Sequence, residues 1–417
     1  MRRSDRRISN QVLFLSLAGF LSFLSACGGG NNSNSNSNPP PPPSGNTEAI
    51  SVNFGPAGNY VNGLFASVTV CDPGSSACQT IPNVLVDTGS EGLRVLSSAL
   101  TLGNLPSVDV GGNPLQECVS FADGSYLWGP VVTADVQLAG ETASSVPIQI
   151  ISASPAVPAP SSCNSGGGTN SNTVAALGAN GILGVGSFRH DCGTACTASS
   201  TAVPNVYFTC PNSSCSVTSA DLTSQVQNPV WLLPSDNNGV LISLPSVPAS
   251  GAVSASGSLI FGVGTQSDNM PGASQQLYTT DGSGNIQTTY AGTAYTSFID
   301  SGSNAMYFLD HSTLGITECS DAAGFYCPSS TQSYTVTNTG QNGTSSSAMF
   351  NIANADTLFS ANGGNDAALV DLGGDSGTSP STDYFDFGIP FFYGRNVFVG
   401  INGTAGPGGI TTPYWIY

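Results

Sequence analysis

One short motif occurs twice in the chain, once in each half. Residues 84–90 read Val-Leu-Val-Asp-Thr-Gly-Ser, and residues 297–303 read Ser-Phe-Ile-Asp-Ser-Gly-Ser. In both copies an apolar run leads into an aspartate, a small hydroxyl residue and a glycine. A single triplet of this kind is a common turn in a chain rich in glycine and serine. Two copies that each follow a candidate strand predict two homologous lobes, with Asp87 and Asp300 at matching positions.

The composition favours strands and turns over long helices. Of 417 residues, 51 are glycine and 27 are proline, and only 8% are charged. No long amphipathic helix is evident. Apolar runs bounded by Gly, Pro, Asn or Ser recur at residues 64–70, 84–86, 131–138, 146–151, 241–244 and 397–401. We therefore predict an all-β fold with an amino-terminal lobe at 48–245 and a carboxyl-terminal lobe at 246–417, divided near the Pro- and Ser-rich stretch 244–251.

The charge distribution excludes one class of partner. The chain has no lysine, and four of its seven arginines lie within the first seven residues. The region from residue 27 onward keeps three arginines and all but one of the 25 acids, a formal charge of about −21. Binding of nucleic acid or another polyanion is therefore not expected. The acidic surface suits an acidic or extracytoplasmic setting, or serves solubility alone.

The amino terminus is typical of an exported, lipid-anchored protein. Residues 1–26 combine a basic start with an apolar stretch at 12–24, which is short for a membrane span of about 20 residues. The tetrapeptide that ends in Cys27 resembles the lipobox of bacterial lipoproteins, whose cysteine is diacylated; an uncleaved anchor is the alternative. Residues 27–47 are rich in Asn, Ser and Pro and predict a flexible tether. Gly28 after the cysteine favours the outer membrane, on its periplasmic or surface face.

The remaining cysteines predict disulfide bonds. Without Cys27 ten of the eleven cysteines remain, an even number in an exported chain. Proximity suggests the pairs Cys71/Cys78, Cys192/Cys196, Cys210/Cys215 and Cys319/Cys327, which leaves Cys118/Cys163. A zinc site of His190 with Cys192 and Cys196 is not expected, because an oxidising compartment favours a disulfide and only one histidine is nearby. The acidic stretch 366–375 is interpreted as a loop rather than a calcium site. No metal and no cofactor is expected.

The duplicated motif suits one kind of hydrolysis. Two adjacent carboxyls cannot both ionise easily, so they share a proton; one activates a water and the other hydrogen-bonds the substrate carbonyl. Gly89 and Gly302 permit a tight turn, and their amides can donate to the carboxylates. Thr88 and Ser301 can hydrogen-bond across the lobes, while Ser90 and Ser303 can support the outer oxygens.

In these segments the chain resembles the pepsin-like aspartic peptidases. The segments fall in that family's order: 60–70 resembles the opening strand pair, 84–96 and 298–309 the two catalytic loops, 119–140 the flap hairpin, 257–264 the entry strand of the second lobe, and 181–185 and 387–400 the elements beneath the aspartates. We also suspect kinship with an uncharacterised family of bacterial lipoproteins. The resemblance implies a bilobal β fold, an active site at Asp87 and Asp300, peptide or protein substrates, and a monomer without a cofactor.

Two positions depart from that family's pattern. The flap usually has a tyrosine followed by glycine, whereas this chain has Phe121-Ala122, followed by Asp123 and Gly124. Tyr126 in another register is a possible substitute. Arg94 stands where a tryptophan often hydrogen-bonds the flap tyrosine. We expect Arg94 to pair with Glu91 or Asp123 at the cleft, to bind an acidic substrate side chain, or to be a solvated surface residue.

Other functional classes fit less well. His190 and His311 are the only histidines, and neither lies in a nucleophile setting that a Ser/His/Asp hydrolase requires. The remaining rival is a non-catalytic protein of the same fold that binds a peptide or glycan in its cleft. The retained aspartates favour catalysis, because a binding scaffold does not need a repelling carboxyl pair. The missing flap tyrosine favours the rival.

Overall fold

The computed structural model describes residues 45–417 except 104, 165–166, 201 and 377–382. The predicted signal peptide at 1–26, Cys27 and most of the predicted tether at 27–47 lie outside these residues. The described strands are β1 (Thr47–Asn53), β2 (Gly63–Cys71), β3 (Cys78–Asp87), β4 (Glu91–Leu96), β5 (Asp109–Val110), β6 (Asn113–Ser120), β7 (Tyr126–Leu138), β8 (Glu141–Ile151), β9 (Gly181–Val185), β10 (Tyr207–Thr209), β11 (Ser216–Val217), β12 (Gly239–Ser243), β13 (Ala255–Phe261), β14 (Leu277–Thr279), β15 (Ile286–Tyr290), β16 (Thr293–Ile299), β17 (Met306–Phe308), β18 (Gln332–Thr339), β19 (Ser345–Ile352), β20 (Gly373–Gly374), β21 (Tyr384–Phe387), β22 (Asn396–Gly400) and β23 (Tyr414–Ile416).

The helices are few and short, as the composition predicted. The α-helices are α1 (Val174–Leu177), α2 (His311–Leu314), α3 (Ala355–Ser360) and α4 (Ile389–Phe392). Short 3-10 turns lie at Ser97–Ala99, Gly193–Cys196, Pro211–Ser213, Pro229–Leu232, Ala361–Gly364 and Pro407–Gly409. Among the described residues, no helix has the length and apolar character needed to cross a membrane.

The strands form two sheets, and the fold is the predicted bilobal all-β fold. A sheet of 16 strands has the order β11-β10-β6-β7-β8-β4-β9-β3-β2-β1-β13-β12-β22-β23-β14, with β5 beside β6. A sheet of seven strands has the order β19-β18-β15-β16-β21-β17-β20. The larger sheet joins both halves of the chain, because β1 pairs antiparallel with β13. The predicted lobe boundary after residue 245 lies in the connection between β12 and β13 and stays a prediction.

The two motif copies are built from matching strands. In the first half β3 runs parallel to β9, and β9 is antiparallel to β4. In the second half β16 runs parallel to β21, and β21 is antiparallel to β17. Asp87 is in register with Gly184, and the amide of Asp300 donates to the carbonyl of Phe387 at 3.0 Å. Each aspartate is therefore placed by a parallel strand pair, and the residues directly before the two aspartates, Val86 and Ile299, are fully buried.

The core and the disulfides fix these strands. All five residues of β9 are buried, and each buried Val, Leu or Ile side chain stabilises the fold by about 1.5–3 kcal/mol. The five disulfides are those that proximity suggested: Cys71–Cys78, Cys118–Cys163, Cys192–Cys196, Cys210–Cys215 and Cys319–Cys327. A zinc site at Cys192 and Cys196 is excluded, because their sulfur atoms form a disulfide bond with each other.

Candidate active site

Asp87 and Asp300 face each other where the two matching strand sets meet. Asp87 is the last residue of β3, and Asp300 directly follows β16. A Cβ atom added to Gly89 would lie 2.7 Å from Cγ of Asp300, and one added to Gly302 would lie 2.7 Å from Oδ1 of Asp87. Each glycine therefore lies against the carboxyl of the opposite motif. Any larger side chain at either position would displace that carboxyl.

Each carboxyl is held by the turn that follows it. The amide two residues later donates to Oδ1, and the hydroxyl three residues later donates to Oδ2. For Asp87 these donors are Gly89 at 2.7 Å and Ser90; for Asp300 they are Gly302 at 2.7 Å and Ser303 at 2.9 Å. These are the hydrogen bonds that the motif predicted. The carboxyls are thus oriented by short local contacts before any substrate arrives.

The hydroxyl residues of the two motifs bond to each other's backbone. Oγ1 of Thr88 accepts from the amide of Ser301 at 2.9 Å and donates to the carbonyl of Ile299 at 3.0 Å. Oγ of Ser301 accepts from the amide of Thr88 at 3.1 Å and donates to the carbonyl of Val86 at 2.7 Å. Thr88 is 4% exposed and Ser301 is 1% exposed. This reciprocal, buried set fixes the distance between the two turns.

The surroundings of Asp300 favour a protonated carboxyl. Burial raises the pKa of Asp300 well above its ordinary value of 3.8, and the charge of Asp87 raises it further. The nearby Asp386 and a side-chain hydrogen bond with Asp87 act in the same direction, against the amide of Gly302. Two carboxyls this close hold one proton between them over a wide pH range, and that proton belongs to the pair.

A third carboxyl, Asp386, lies behind this pair. Oγ of Ser303 is 2.9 Å from Oδ2 of Asp300 and 2.6 Å from Oδ2 of Asp386. A hydroxyl has one proton, so Ser303 donates to one of these acids at a time, and the other contact requires a protonated carboxyl. Burial raises the pKa of Asp386 well above 3.8; the hydrogen bond from Ser303 lowers it in part, and the charge of Asp87 raises it further. Oδ1 of Asp386 is buried and has no hydrogen-bond partner among the described residues.

The predicted flap is the hairpin between β6 and β7. The amide of Phe121 donates to Ser125 at 2.9 Å, and the amide of Gly124 donates back to Phe121 at 3.0 Å. Ala122, Asp123 and Gly124 form its exposed tip. Phe121 is half-buried against the apolar cluster that contains Phe65, Leu85 and Ile182. Phe121, directly before this tip, therefore supplies a ring without a hydroxyl.

Tyr126 does not replace the missing flap tyrosine. It is the first residue of β7, opposite Ser120 of β6, and not a tip residue. Its ring packs in the cluster that contains Trp128 and the disulfide Cys118–Cys163. The alternative register in which Tyr126 covers the cleft is therefore wrong.

A phenol does reach the aspartate pair, from another segment. Tyr60 lies between β1 and β2, and its hydroxyl donates to the carbonyl of Gly302 at 3.3 Å. Burial raises the pKa of Tyr60, and the charges of Asp300 and Asp87 raise it further. Its ring packs edge-on against Phe65, in the apolar cluster that Phe121 also contacts. Tyr60 thus places a hydroxyl beside the pair, and Phe121 packs in the same apolar cluster as Tyr60.

Arg94 is a buried structural residue, and all three expectations for it were wrong. It is fully buried in β4, which lies between β8 and β9, so its side chain reaches neither the cleft nor solvent. Its Nη2 lies 2.6 Å from Oε1 of Glu117 and 3.3 Å from Oδ2 of Asp191. Its Nη1 donates to the backbone carbonyl of Glu91 at 2.7 Å, not to the Glu91 carboxylate. Because Glu117 belongs to β6, this buried ion cluster joins the strand before the predicted flap to β4, which follows the first motif.

The carboxyl of Glu91 lies on the other side of that loop. Its Oε1 accepts a hydrogen bond from the amide of Phe188 at 3.2 Å. Burial raises the pKa of Glu91 to about 8, and the charge of Asp87 adds to this, whereas the Phe188 amide and Arg94 lower it. Glu91 therefore keeps its proton in acid and gives it up near pH 8.

The chain also resembles known proteins, in sequence and in fold. The sequence profile of the family described as "Protein of unknown function (DUF3443)" matches residues 42–417. The chain belongs to the DUF3443 family. A search of curated proteins found no match for this member of DUF3443.

The fold of this DUF3443 chain is similar to that of an aspartic proteinase from Irpex lacteus. The TM-score is 0.50 at 15% sequence identity, over 89% of this chain and 96% of that one. The likeness shows a shared pepsin-like fold and says nothing about residue roles. Nearly the whole length of both chains takes part, so both lobes are shared.

Two residues of the candidate site in this chain were not identified from the sequence. Tyr60 lies in a segment interpreted only as part of the opening strands, and nothing local marks its hydroxyl. Asp386 directly precedes the segment 387–400 and was given no role, although an acid between two phenylalanines was an available signal. Among the described residues, the two groups of side chains close enough to hold a metal ion include neither Asp87 nor Asp300.

Proposed function

We propose that the chain is an aspartic-type endopeptidase in which Asp87 and Asp300 activate a water molecule. The observation that supports this is the reciprocal arrangement of the two carboxyls, each held by its own turn and each lying against the glycine of the other motif. A pair of buried, mutually repelling carboxyls is costly to keep in a scaffold and is what this chemistry needs.

The reaction uses the single proton of the pair. Asp87, the partner of the protonated Asp300, takes a proton from a water held between the two groups, and this water attacks the scissile carbonyl carbon. The protonated carboxyl, Asp300, gives its proton to the carbonyl oxygen, so a neutral tetrahedral diol forms. Asp87 then passes its new proton to the amide nitrogen, the C–N bond breaks, and Asp300 recovers a proton from the diol as the carboxyl product forms. The pair ends with one proton, as it began.

The residues around the pair favour apolar side chains next to the scissile bond. Phe121 and Tyr60 supply aromatic surface from one cluster, and exclusion of water there strengthens the hydrogen bonds of the diol. Arg94 is buried and ion-paired, so it is not available to bind an acidic substrate residue.

We further propose that the peptidase acts outside the cytoplasm, as a monomer on a lipid anchor. This rests on the export signal at 1–26, the lipobox that ends at Cys27 and the tether at 27–47. Gly28 favours the outer membrane. Five disulfides suit an oxidising compartment.

The second candidate is a non-catalytic lipoprotein that binds a ligand in its cleft. Phe121 favours it, because its ring lacks the hydroxyl of the flap tyrosine. The test incubates the full-length chain, purified in detergent, with a diverse peptide library between pH 3 and 7, with and without a statine-type inhibitor. Inhibitor-sensitive cleavage supports the peptidase. Binding of library peptides without cleavage at any pH contradicts it and supports the second candidate.

A further inference from the structure

Three side chains outside the proposed active site converge on the surface of the second lobe. They are His311, the first residue of α2; Glu318, which follows α2; and Asp375, which follows β20. One ligand atom from each lies within 4.8 Å of the other two. We propose that these three residues bind a zinc ion or a similar divalent first-row transition metal.

The distances suit a tetrahedral ion. Nδ1 of His311 is 2.9 Å from Oδ2 of Asp375 and 3.9 Å from Oε1 of Glu318. Ligands about 2.0–2.2 Å from a tetrahedral zinc ion are separated from one another by roughly 3.3 Å. The two distances bracket that value, and all three ligand atoms lie within 4.8 Å of one another. The ion takes the place of the hydrogen between Nδ1 and Oδ2, and the proton goes to solvent.

The donor set selects among metals. One imidazole and two carboxylates are ligand types that zinc accepts, and three protein ligands with a water at the fourth position make an open zinc site. Calcium needs six to eight oxygen ligands, and magnesium takes carboxylates and waters rather than imidazole. The side chains of His311 and Glu318 are 54% and 41% exposed, whereas that of Asp375 is 5% exposed. The site therefore has one fixed ligand at its base and two that are open to an ion from solvent.

The backbone of each ligand is already fixed. Asp310 caps α2 by accepting hydrogen bonds from the amides of Ser312 and Thr313, which sets the direction of His311. Glu318 pairs with Tyr326 in a bridge next to the disulfide Cys319–Cys327. The amide of Asp375 donates to the carbonyl of Gly324 at 2.9 Å. The ion would therefore join three segments that the fold already holds close together, at little conformational cost.

Other donors nearby are already engaged. Both carboxylate oxygens of Asp310 accept hydrogen bonds within its helix cap. A second group that could hold a metal, Cys319 with Cys327 and Asp356, has its two sulfurs joined in a disulfide. His190, the other histidine of the chain, packs against Trp231 instead. His190 is therefore the matched control for His311.

The experiment measures zinc binding to the full-length chain, purified in detergent and stripped with chelator, by equilibrium dialysis. His311→Gln, Glu318→Gln and His190→Gln are compared, and circular dichroism checks that each is folded. We expect one zinc ion per chain and a Tm that rises with zinc concentration. Cobalt(II) should give the intense visible absorption of a tetrahedral site. His311→Gln and Glu318→Gln should each weaken binding by more than the roughly tenfold that loss of an indirect contact costs, and His190→Gln should not.

Three results would overturn the proposal. They are zinc affinity in the wild type no higher than in His311→Gln, an equal loss of affinity in His190→Gln, and displacement of zinc by equimolar calcium. The zinc proposal is independent of peptidase activity, because the binding assay uses no peptide substrate. Failure of zinc binding therefore leaves the proposed peptidase activity untouched, and the reverse also holds.

Discussion

Thr88 and Ser301 exchange hydrogen bonds in both directions: the hydroxyl of each accepts from the backbone amide of the other, at 2.9 and 3.1 Å. The two contacts are buried and join segments from opposite halves of the chain. They therefore stabilise the fold and set the separation of Asp87 and Asp300 at the same time.

Thr88→Val tests the first of these roles. The substitution keeps the shape of the side chain but leaves the amide of Ser301 and the carbonyl of Ile299 without a partner, at about 1–3 kcal/mol for each buried unpaired group. We expect the free energy of unfolding in urea to fall by that order. Thr335→Val, at an exposed position of β18, is the control and should change it little. Equal effects of the two substitutions would contradict the role of the cross-lobe bonds.

The buried Arg94 cluster predicts a larger effect. Arg94→Met leaves Glu117 and Asp191 buried without their cation, which costs about 3–5 kcal/mol. The double variant Arg94→Met with Glu117→Gln removes one of the two buried acids that have lost their cation and should recover part of the loss. Urea unfolding at neutral pH measures both. An Arg94→Met protein as stable as the wild type would show that the cluster contributes nothing.

Glu91 predicts how stability depends on pH. The pKa of Glu91 is about 8 in the folded chain, against an ordinary value of 4.5. Between these values the unfolded chain has lost the proton that the folded chain keeps, so ionisation favours unfolding and stability falls as pH rises. Below pH 4.5 both states are protonated and the effect is absent.

Glu91→Gln should remove that contribution while its amide oxygen can still accept from Phe188. We expect the variant to gain stability relative to the wild type as pH rises from 4.5 to 8, measured by urea unfolding at each pH. Glu141→Gln is the control. The carboxyl of Glu141 accepts an exposed hydrogen bond from the amide of Ser235. A stability difference that stays constant with pH would contradict the raised pKa of Glu91.

Much of this site was predictable because it is local. The hydrogen bonds within each turn follow from its sequence of aspartate, hydroxyl residue, glycine and serine. The repetition of that sequence indicated that the two turns belong to one site. The disulfides followed from proximity for the same reason. Arg94 was not predictable, since its partners lie 23 and 97 residues away and burial depends on the neighbouring strands. Tyr60 and Gly302 are 242 residues apart, so only the fold brings them together.

Tyr60 gives a prediction about rate. Its hydroxyl lies beside the pair. We assign to it the role that the hydroxyl of a flap tyrosine would have. Tyr60→Phe removes one hydrogen bond, worth about 0.5–1.5 kcal/mol, so we expect kcat/KM for peptide cleavage to fall roughly 2- to 10-fold. Tyr126→Phe, in the cluster near Cys118–Cys163, should leave the rate unchanged. The reverse pattern would place the functional phenol on the flap hairpin after all.

The central claim is that Asp87 and Asp300 act as one unit that activates water. The most direct measurement is kcat for a peptide that the wild type cleaves, in Asp87→Asn, Asp300→Asn and the double variant, from pH 3 to 7. Asp321→Asn, at an exposed position, is the control. We predict that each single substitution lowers kcat by at least about 10³, that the double variant is no worse than either, and that the control cleaves normally. Cleavage that survives either Asp87→Asn or Asp300→Asn at wild-type rates would contradict the account.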